Sequence, residues 1–346
     1  MRRIRVSLAI VSYERPVLIV TEPLDVHADF VISELNKRDV PVFRFHTEDF
    51  PVGSQISISG TGTVWSGEIR TPLRSLRLED VRAAWLRRPG DPVADPALRP
   101  EIREFAVQQA RSTLTALYTL IGDRWLSHPE SMRAAAEKVL QMRCAAAAGL
   151  AVPDTLIGND VGRVTGFHDG NVRSGRGTAV KSLWVRTKVS YDGGQRVPLT
   201  TRWPEKMDPG QVETIRLTPA VFQEYVPKHR EIRAVVIGGR VFAASVDSQS
   251  ILEARHDVRG AGTQAGYEPY DLPADVRSAL LEMVRRLGLR FCSADLVLTP
   301  DGRHVFLDLN PNGQWLWLEL EAGLPLSAAM ADLLAGGIPE PPAKAH

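Results

Sequence analysis

Three oxygen-bearing side chains near the end of the chain have the types and spacing to hold a cation. In RFCSADLVLTPDGRHVFLDLNPNG, Asp295 precedes the turn Pro300-Asp301-Gly302, and Asp308 and Asn310 follow it. Residues two apart on a strand share a face, so Asp308 and Asn310 point the same way, and hairpin pairing can bring Asp295 opposite them. Such a set suits a hard cation. For Mg²⁺ it implies few protein ligands, with phosphate oxygens and waters completing the octahedron. The alternative is that acids beside a Pro-Asp-Gly turn merely solvate it. The apolar neighbours Ala294, Leu296, Leu307 and Leu309 favour the cation, because an idle charge among them would be costly.

Two lysines and a Glu-x-Arg pair could complete a phosphate chemistry. Lys181 stands in the apolar run TAVKSLW beside the glycine-rich Gly175 to Gly177, which suits an ammonium on a lobe closing over phosphates; a lysine at a strand edge is the competing account. Lys138, in the alanine-rich stretch 133–148, reads on its own as a solvated helix lysine. In FQEYVPKHREIR, the strand ends at Pro227 and leaves backbone groups able to read a purine edge. Glu231 and Arg233 then share a face: a carboxylate for ribose hydroxyls and a guanidinium for phosphate or carboxylate, or else a plain cross-strand ion pair. His229 and His256 have no partner at catalytic spacing.

These residues need strands and helices to hold them. PVLIVTEP (16–23), the helical spacing of Phe30, Val31 and Leu35, and PVFRFHTEDFP read as strand, helix, strand, the start of a small α/β domain with a parallel sheet. SQISISG and VWSGEIR read as a hairpin in a mixed sheet, VRAAWLRRPG as a further strand, and 101–121 as a long amphipathic helix. The pattern breaks at WLSHP (125–129) and resumes as one helix over 133–148, stopped by Gly149. The polar, glycine-rich stretch GFHDGNVRSGRG (166–177) is the least core-like part of the chain. Strands follow at TAVKSLW and PAVFQEYVP, a hairpin turns at Gly238-Gly239, and 273–287 reads as a helix. A last helix near 327–334 precedes a Pro-rich tail predicted to be disordered.

Composition bounds the class. The 346 residues, 44% hydrophobic and 24% charged, are too many for one core, so two or three lobes are expected. The 42 basic and 41 acidic residues leave a formal charge of +1, so no whole-molecule field steers the chain to nucleic acid or an anionic membrane. Cys144 and Cys292, the two cysteines, lie in apolar stretches and read as buried, reduced thiols of a cytoplasmic protein. The basic start is followed by an apolar run too short for a signal peptide, and no stretch reaches the ~20 apolar residues of a membrane span.

In combination, Lys138, AVK at Lys181, QEYV, ExR at Glu231 and Arg233, and D...DLNPNGQW resemble the ATP-grasp superfamily, and more closely its ribosomal peptide maturases, the graspetide synthetases related to microviridin macrocyclases. The similarity runs through AAWLRRP, WLSHPESMRAAAEK, GLAVPDTLI, LTTRW and NPNGQWLWLE in family order, nearly the whole chain. It implies an α/β chain of α+β lobes: a pre-ATP-grasp domain (1–128), a small central lobe (129–215) and a C-terminal mixed-sheet lobe (216–340) with the metal and nucleotide residues.

The resemblance also implies roles. Lys138 and Lys181 would bind ATP phosphates, Glu224, Tyr225 and Val226 would form the hinge at adenine, and Glu231 would hold the ribose hydroxyls. Arg233 would contact the reacting carboxylate or acyl phosphate, or the peptide core. Asp295, Asp308 and Asn310 would ligate Mg²⁺; many relatives have Glu where this chain has Asp308. Relatives also carry Asp-Trp-Arg where His256-Asp257-Val258-Arg259 lacks the Trp. Arg87 and Arg88 would lie at the interlobe cleft, either orienting an acidic peptide or pinning the first lobe by ion pairs. Trp315 and Trp317 would pack as hydrophobic support. The expected partner is a precursor peptide, a leader with an acidic, Thr-rich core; nucleic acid and membrane are not expected, and family members often form homodimers. The expected reaction makes side-chain esters or amides through an acyl phosphate. A carboxylate-amine ligase for amino acids, small molecules or a protein tail is the second hypothesis. The third is a peptide-binding module without turnover, against which the intact Lys181, Asp295, Asp308 and Asn310 set argues.

Overall fold

A computed structural model describes residues 15–183, 189–191, 194–196, 200–250 and 266–338. The basic N-terminal start, His256 to Arg259 and the Pro-rich tail lie outside the described residues. The chain divides into two compact units, one formed by 1–129 with 327–341 and the other by most of the remainder.

In the first unit, β1 (Val17–Thr21) is wholly buried and runs parallel to both neighbours, β2 (Val42–Phe45) and β6 (Ala83–Arg88). Burial on both faces is why its sequence is continuously apolar. Between them, α1 (Val26–Asn36) starts at Asp25, whose side chain accepts from the backbone N–H of His27 at 3.1 Å. The strands β3 (Gln55–Thr61), β4 (Val64–Arg70) and β5 (Ser75–Arg77) form a separate antiparallel sheet, which corrects the expected mixed sheet. The hairpin pairs with β5 rather than with an outer edge of the β2-β1-β6 sheet. The helix α2 (Pro100–Ile121) opens on a proline and buries Ala110, Leu114, Leu117 and Ile121 in the core with Leu18 and Phe43.

The second unit begins with α3 (Pro129–Ala135) and α4 (Lys138–Ala147), two helices where one was expected. Glu137 is extended (φ −75°, ψ 120°) and breaks the run, so that Lys138 becomes the first residue of a new helix. A four-stranded antiparallel sheet follows, in the order β11-β8-β12-β7, from β7 (Thr155–Gly158), β8 (Gly177–Lys181), β11 (Thr201–Arg202) and β12 (Ala220–Tyr225); β9 (Val189–Tyr191) and β10 (Gly194–Arg196) pair with each other. The polar, glycine-rich stretch 166–177 is largely helix: α5 spans Val161–Arg173. Asp160 caps it, and Val164, His168 and Asn171 supply a buried stripe at helical spacing, two of the three polar and so invisible to a hydrophobic pattern. His168 Nδ1 and Asn171 Nδ2 both meet Thr178 Oγ1, at 3.0 and 3.2 Å, fixing α5 to β8. After α6 (Pro209–Leu217), β13 (Arg230–Ile237), β14 (Arg240–Val246), β15 (Glu268–Pro269), β16 (Phe291–Leu298) and β17 (His304–Asn310) form a five-stranded sheet in the order β15-β14-β13-β16-β17.

The named strands of that sheet pair antiparallel, and a single parallel bridge, Ala151 to Val305, joins the edge strand β17. Helix α7 (Ala274–Arg286) buries Leu280, Met283 and Val284 against Ile232, Val236 and Leu296. The helix α8 (Leu316–Ala322), not expected, follows β17, and α9 (Leu326–Ala335) belongs almost entirely to the first unit, where Asp332 accepts from Arg38 at 2.8 Å.

Candidate active site

A β-bulge sets the geometry of the site. From Leu298 opposite His304 to Leu296 opposite Phe306 the hairpin is regular; the register then shifts, leaving Leu307 extra and placing Asp308 opposite Asp295. Without the extra residue, Leu307 would face Asp295 and Asp308 would turn to the other side of the sheet. On the far side of β16, Asp295 pairs with Arg233 of β13. Arg233, Asp295 and Asp308 therefore form one row across three strands, and Asn310 lies one step on, opposite Ser293.

Each carboxylate in the row already carries a cation. Arg233 Nη1 donates to Asp295 Oδ1 at 2.6 Å, and Lys138 Nζ donates to Asp308 Oδ1. Burial works against the Arg233 charge, but Asp295 more than offsets it and the guanidinium ends above its ordinary value. Gln141, one turn after Lys138, is fully buried; its Nε2 donates to the carbonyl of Leu309 at 2.8 Å and its Oε1 accepts from the Leu309 N–H at 3.1 Å. This amide clamps α4 to the edge of β17 and keeps Lys138 at the acid row. The side chain of Asn310 accepts from the N–H of Asn312 at 2.9 Å, shaping the loop after the strand. Close packing continues there: a Cβ on Gly313 would lie 2.2 Å from Ser293 Oγ and 3.3 Å from Arg233 Nη2.

The other sheet brings in Lys181 at the end of β8. Burial pushes its ammonium below the usual lysine range, while the fields of Asp308 and Asp295 pull it up and those of Lys138 and Lys228 push it further down. Lys181 thus sits among both carboxylates and two more cations. Glu231 lies two residues before Arg233 on β13; burial raises its carboxyl above the ordinary value despite Lys228 Nζ at 2.9 Å and Ser248 Oγ at 2.7 Å, both donating to Oε1. The segment Glu224 to Val226 ends β12. Glu224 pairs with Arg176 at 3.0 Å, Val226 is buried with Val297 and Val305, and Arg202 stacks over the Tyr225 ring at 4.7 Å. Gly177, opposite Tyr225, leaves room for that guanidinium, since a Cβ there would lie 2.8 Å from Arg202 Nε.

The structure gathers Lys138, Lys181, Glu231, Arg233, Asp295 and Asp308 in one region of the second unit and places Glu224 and Tyr225 on the strand paired with β8, with Val226 just after it. Sequence reasoning missed Gln141, Arg176, Arg202, Lys228 and Ser248. Two of these had a legible spacing: Gln141 is one turn from Lys138, and Lys228 is three residues from Glu231. Trp315 is buried against Phe291 as expected of a support, whereas Trp317 is half-buried with the Arg233 guanidinium 5.8 Å from its ring. Arg87 and Arg88 pair with Asp25 at 3.6 Å and Glu22 at 3.2 Å, acids of their own unit. Cys292 is buried, which pushes its thiol up to about 12, and Cys144 is half-buried; both are free.

Whether this donor set fits a metal can be judged from its chemistry. Among the described residues no group of three or more His, Cys, Asp or Glu side chains is close-set enough to hold an ion by itself. Two facing carboxylates and an amide do fit Mg²⁺ provided that phosphate oxygens complete its sphere. No helix among the described residues is long and apolar enough to cross a membrane.

Residues 16–133 match the family model described as the MvdD pre-ATP grasp domain. The fold resembles a RiPP-associated ATP-grasp ligase of Chryseobacterium gregarium, solved with ADP and a leader and core peptide, with a TM-score of 0.86 and 24% identity over 96% of this chain and 100% of that one. It also resembles macrocyclase MdnC of Microcystis aeruginosa MRC, solved with precursor peptide MdnA (TM-score 0.80, 28% identity, 93% and 99% covered), and macrocyclase MdnB of the same organism (0.74, 29%, 92% and 99%). Among curated proteins, human N-acetylaspartylglutamate synthase A is 25% identical over 125 residues, 35% of this chain and 31% of that protein. The match thus spans about a third of that relative's length.

The fold is that of the ATP-grasp ligases. Within that class, residues 16–133 match the MvdD-type first domain, and the chain resembles MdnB and MdnC over more than nine-tenths of its length.

Proposed function

We propose that the protein is an ATP-dependent carboxylate ligase that activates Asp or Glu side chains of a ribosomally made precursor peptide and closes ester or amide macrocycles onto its Thr, Ser or Lys side chains. The observation that carries this reading is the row Arg233, Asp295 and Asp308, with Lys138 and Lys181 in its field. It sets acids for a metal, cations for phosphates and a guanidinium for a carboxylate side by side.

In this reading Asp295, Asp308 and Asn310 hold Mg²⁺, and Lys138 and Lys181 hold the phosphates of ATP. Glu224, Tyr225 and Val226 meet the adenine, and Glu231 takes the sugar hydroxyls. Mg²⁺, when bound, supplies charge neutralisation at the phosphate oxygens. Lys138 and Lys181 add point charges where negative charge accumulates, and their placement on a helix start and a strand end costs no reorganisation during the reaction. Arg233 holds the substrate carboxylate bidentately and aims one oxygen at the γ-phosphorus. That oxygen bonds to phosphorus as the bond to ADP breaks, giving an acyl phosphate. The hydroxyl or amine of the peptide then attacks the acyl carbon, phosphate leaves, and the nucleophile gives up its proton. The labour is divided among lobes 1–128, 129–215 and 216–340, and the setting is the cytoplasm.

The test is mass spectrometry of a peptide encoded beside the gene, a leader with an acidic, Thr-rich core, after incubation with the protein, ATP and Mg²⁺. Loss of about 18 Da per ring, matched by ADP release, is the expected result for carboxylate activation by phosphoryl transfer. ADP formed only with free amino acids or amines would overturn it in favour of a carboxylate-amine ligase, the reading that the likeness to N-acetylaspartylglutamate synthase A supports. Nucleotide binding without turnover on any acceptor would reduce the protein to a binding module.

A further inference from the structure

We propose that Lys228 and Ser248 are positioning residues that lock the Glu231 carboxylate so that its second oxygen accepts hydrogen bonds from the vicinal hydroxyls of a nucleoside triphosphate. This rests on the nucleotide reading of the preceding subsection. Lys228 Nζ and Ser248 Oγ both donate to Oε1, at 2.9 and 2.7 Å, while among the described residues Oε2 receives no hydrogen bond. Lys228 and Glu231 are 7% and 16% exposed, so the pair is largely shielded from water. A carboxylate held this way has one direction left to offer.

The charge balance says what that direction takes. Lys228 already neutralises Glu231, and Asp295, whose field also reaches Glu231, is itself paired with Arg233, so a second cation arriving at Oε2 would meet acids that are already balanced. A neutral donor meets no such penalty and gains an ionised acceptor, the stronger kind of hydrogen bond. Hydroxyls fit, and the phosphate-holding lysines lie in the same region. Lys228 has a second consequence. Burial alone disfavours the charged carboxylate, and Lys228 is the largest influence in the opposite direction. Ser248 adds orientation, since it anchors Oε1 from a separate short turn (Ser248–Ser250) beyond β14.

The experiment compares Mg²⁺-dependent binding of ATP, 2′-deoxy-ATP and 3′-deoxy-ATP by isothermal titration calorimetry, using the full-length protein. The wild type is expected to bind at least one deoxy analogue roughly tenfold to a hundredfold more weakly than ATP, as for loss of a hydrogen bond to a charged group. Lys228→Met should bring that ratio below about threefold, Lys228→Arg should restore most of it, and Ser248→Ala should lower it by an intermediate amount. A generally loosened fold would weaken all three nucleotides together and leave the ratio intact. If Lys228→Met proves unfolded by circular dichroism, Ser248→Ala alone decides. A ratio preserved in Ser248→Ala and in any folded Lys228→Met, or a wild type that binds ATP without distinguishing either analogue, overturns the inference while leaving the ligase reading untouched. A wild type that binds no ATP overturns the ligase reading itself.

Discussion

Arg87 and Asp25 in the first unit are 0% and 1% exposed, whereas Asp295 and Asp308 in the second remain 46% and 39% exposed although each already carries a cation. Both clusters set acids against bases beside buried strands, and only one is finished. Asp25 accepts from Thr21 Oγ1 at 2.7 Å and caps α1, so its oxygens are spent on the fold. The acids of the second unit face open space with basic side chains that can be redirected. A sealed charge cluster holds a structure together, and one whose acids stay exposed can still exchange a counter-charge for a ligand.

The largest effect expected from this contrast concerns chemistry. Asp308→Asn keeps the shape of the row and removes one charge. ATP-dependent ring closure should fall between about a thousandfold and a hundred-thousandfold, the range for losing a charge-neutralising group in phosphoryl transfer. Full turnover in this variant, by mass spectrometry of the peptide, would mean the open row is no more catalytic than the sealed one.

Arg87→Met is the matching probe of the sealed cluster. It leaves Asp25 buried without its closest guanidinium, and urea unfolding should show a loss of about 3–5 kcal/mol. Nucleotide affinity should be unchanged. Intact stability with lost peptide turnover would make Arg87 a substrate residue and erase the distinction.

His27 gives a gentler test of the same cluster. It lies 3.7 Å from Asp25, and burial, aided by the Arg87 charge, lowers its pKa from 6.5 to about 4. The unfolded chain therefore binds a proton that the folded chain refuses throughout that interval. Stability is full above pH 6.5 and drains as pH falls toward 4, by on the order of 3 kcal/mol. His27→Gln should flatten this slope in urea unfolding followed against pH; equal slopes would refute the account.

How much of this could be read from the chain beforehand depended on whether a residue's role is local. The acid pair and the strand of Lys181 were legible because apolar neighbours on a strand mark a face. Their exact opposition was not, since it rests on the bulge at Leu307, and a regular hairpin would have separated them. The break before Lys138 was hidden by an alanine-rich run with uniformly high helix propensity, and α5 by glycines and by a buried stripe whose polar members, His168 and Asn171, satisfy one another through Thr178. Ser248 acts through Glu231, 17 residues away, and Gln141, although one turn from Lys138, grips Leu309 168 residues on, distances over which spacing says nothing.

The smallest effect expected is also the one that reads the open cluster most directly. Lys181 is held below the usual lysine range by burial, with Asp308 and Asp295 raising it and Lys138 and Lys228 lowering it. As pH rises it loses its proton before an ordinary lysine at about 10.4 would. The affinity of the free protein for ATP should therefore begin to fall on the alkaline side ahead of that value. Loss of one phosphate contact to a full charge corresponds to roughly tenfold. Lys181→Arg keeps its charge across the same interval, so its titration calorimetry curve should stay level where the wild type declines. Superimposed curves would show that the ammonium does not touch the phosphates, and that the openness of the second cluster extends only to its acids.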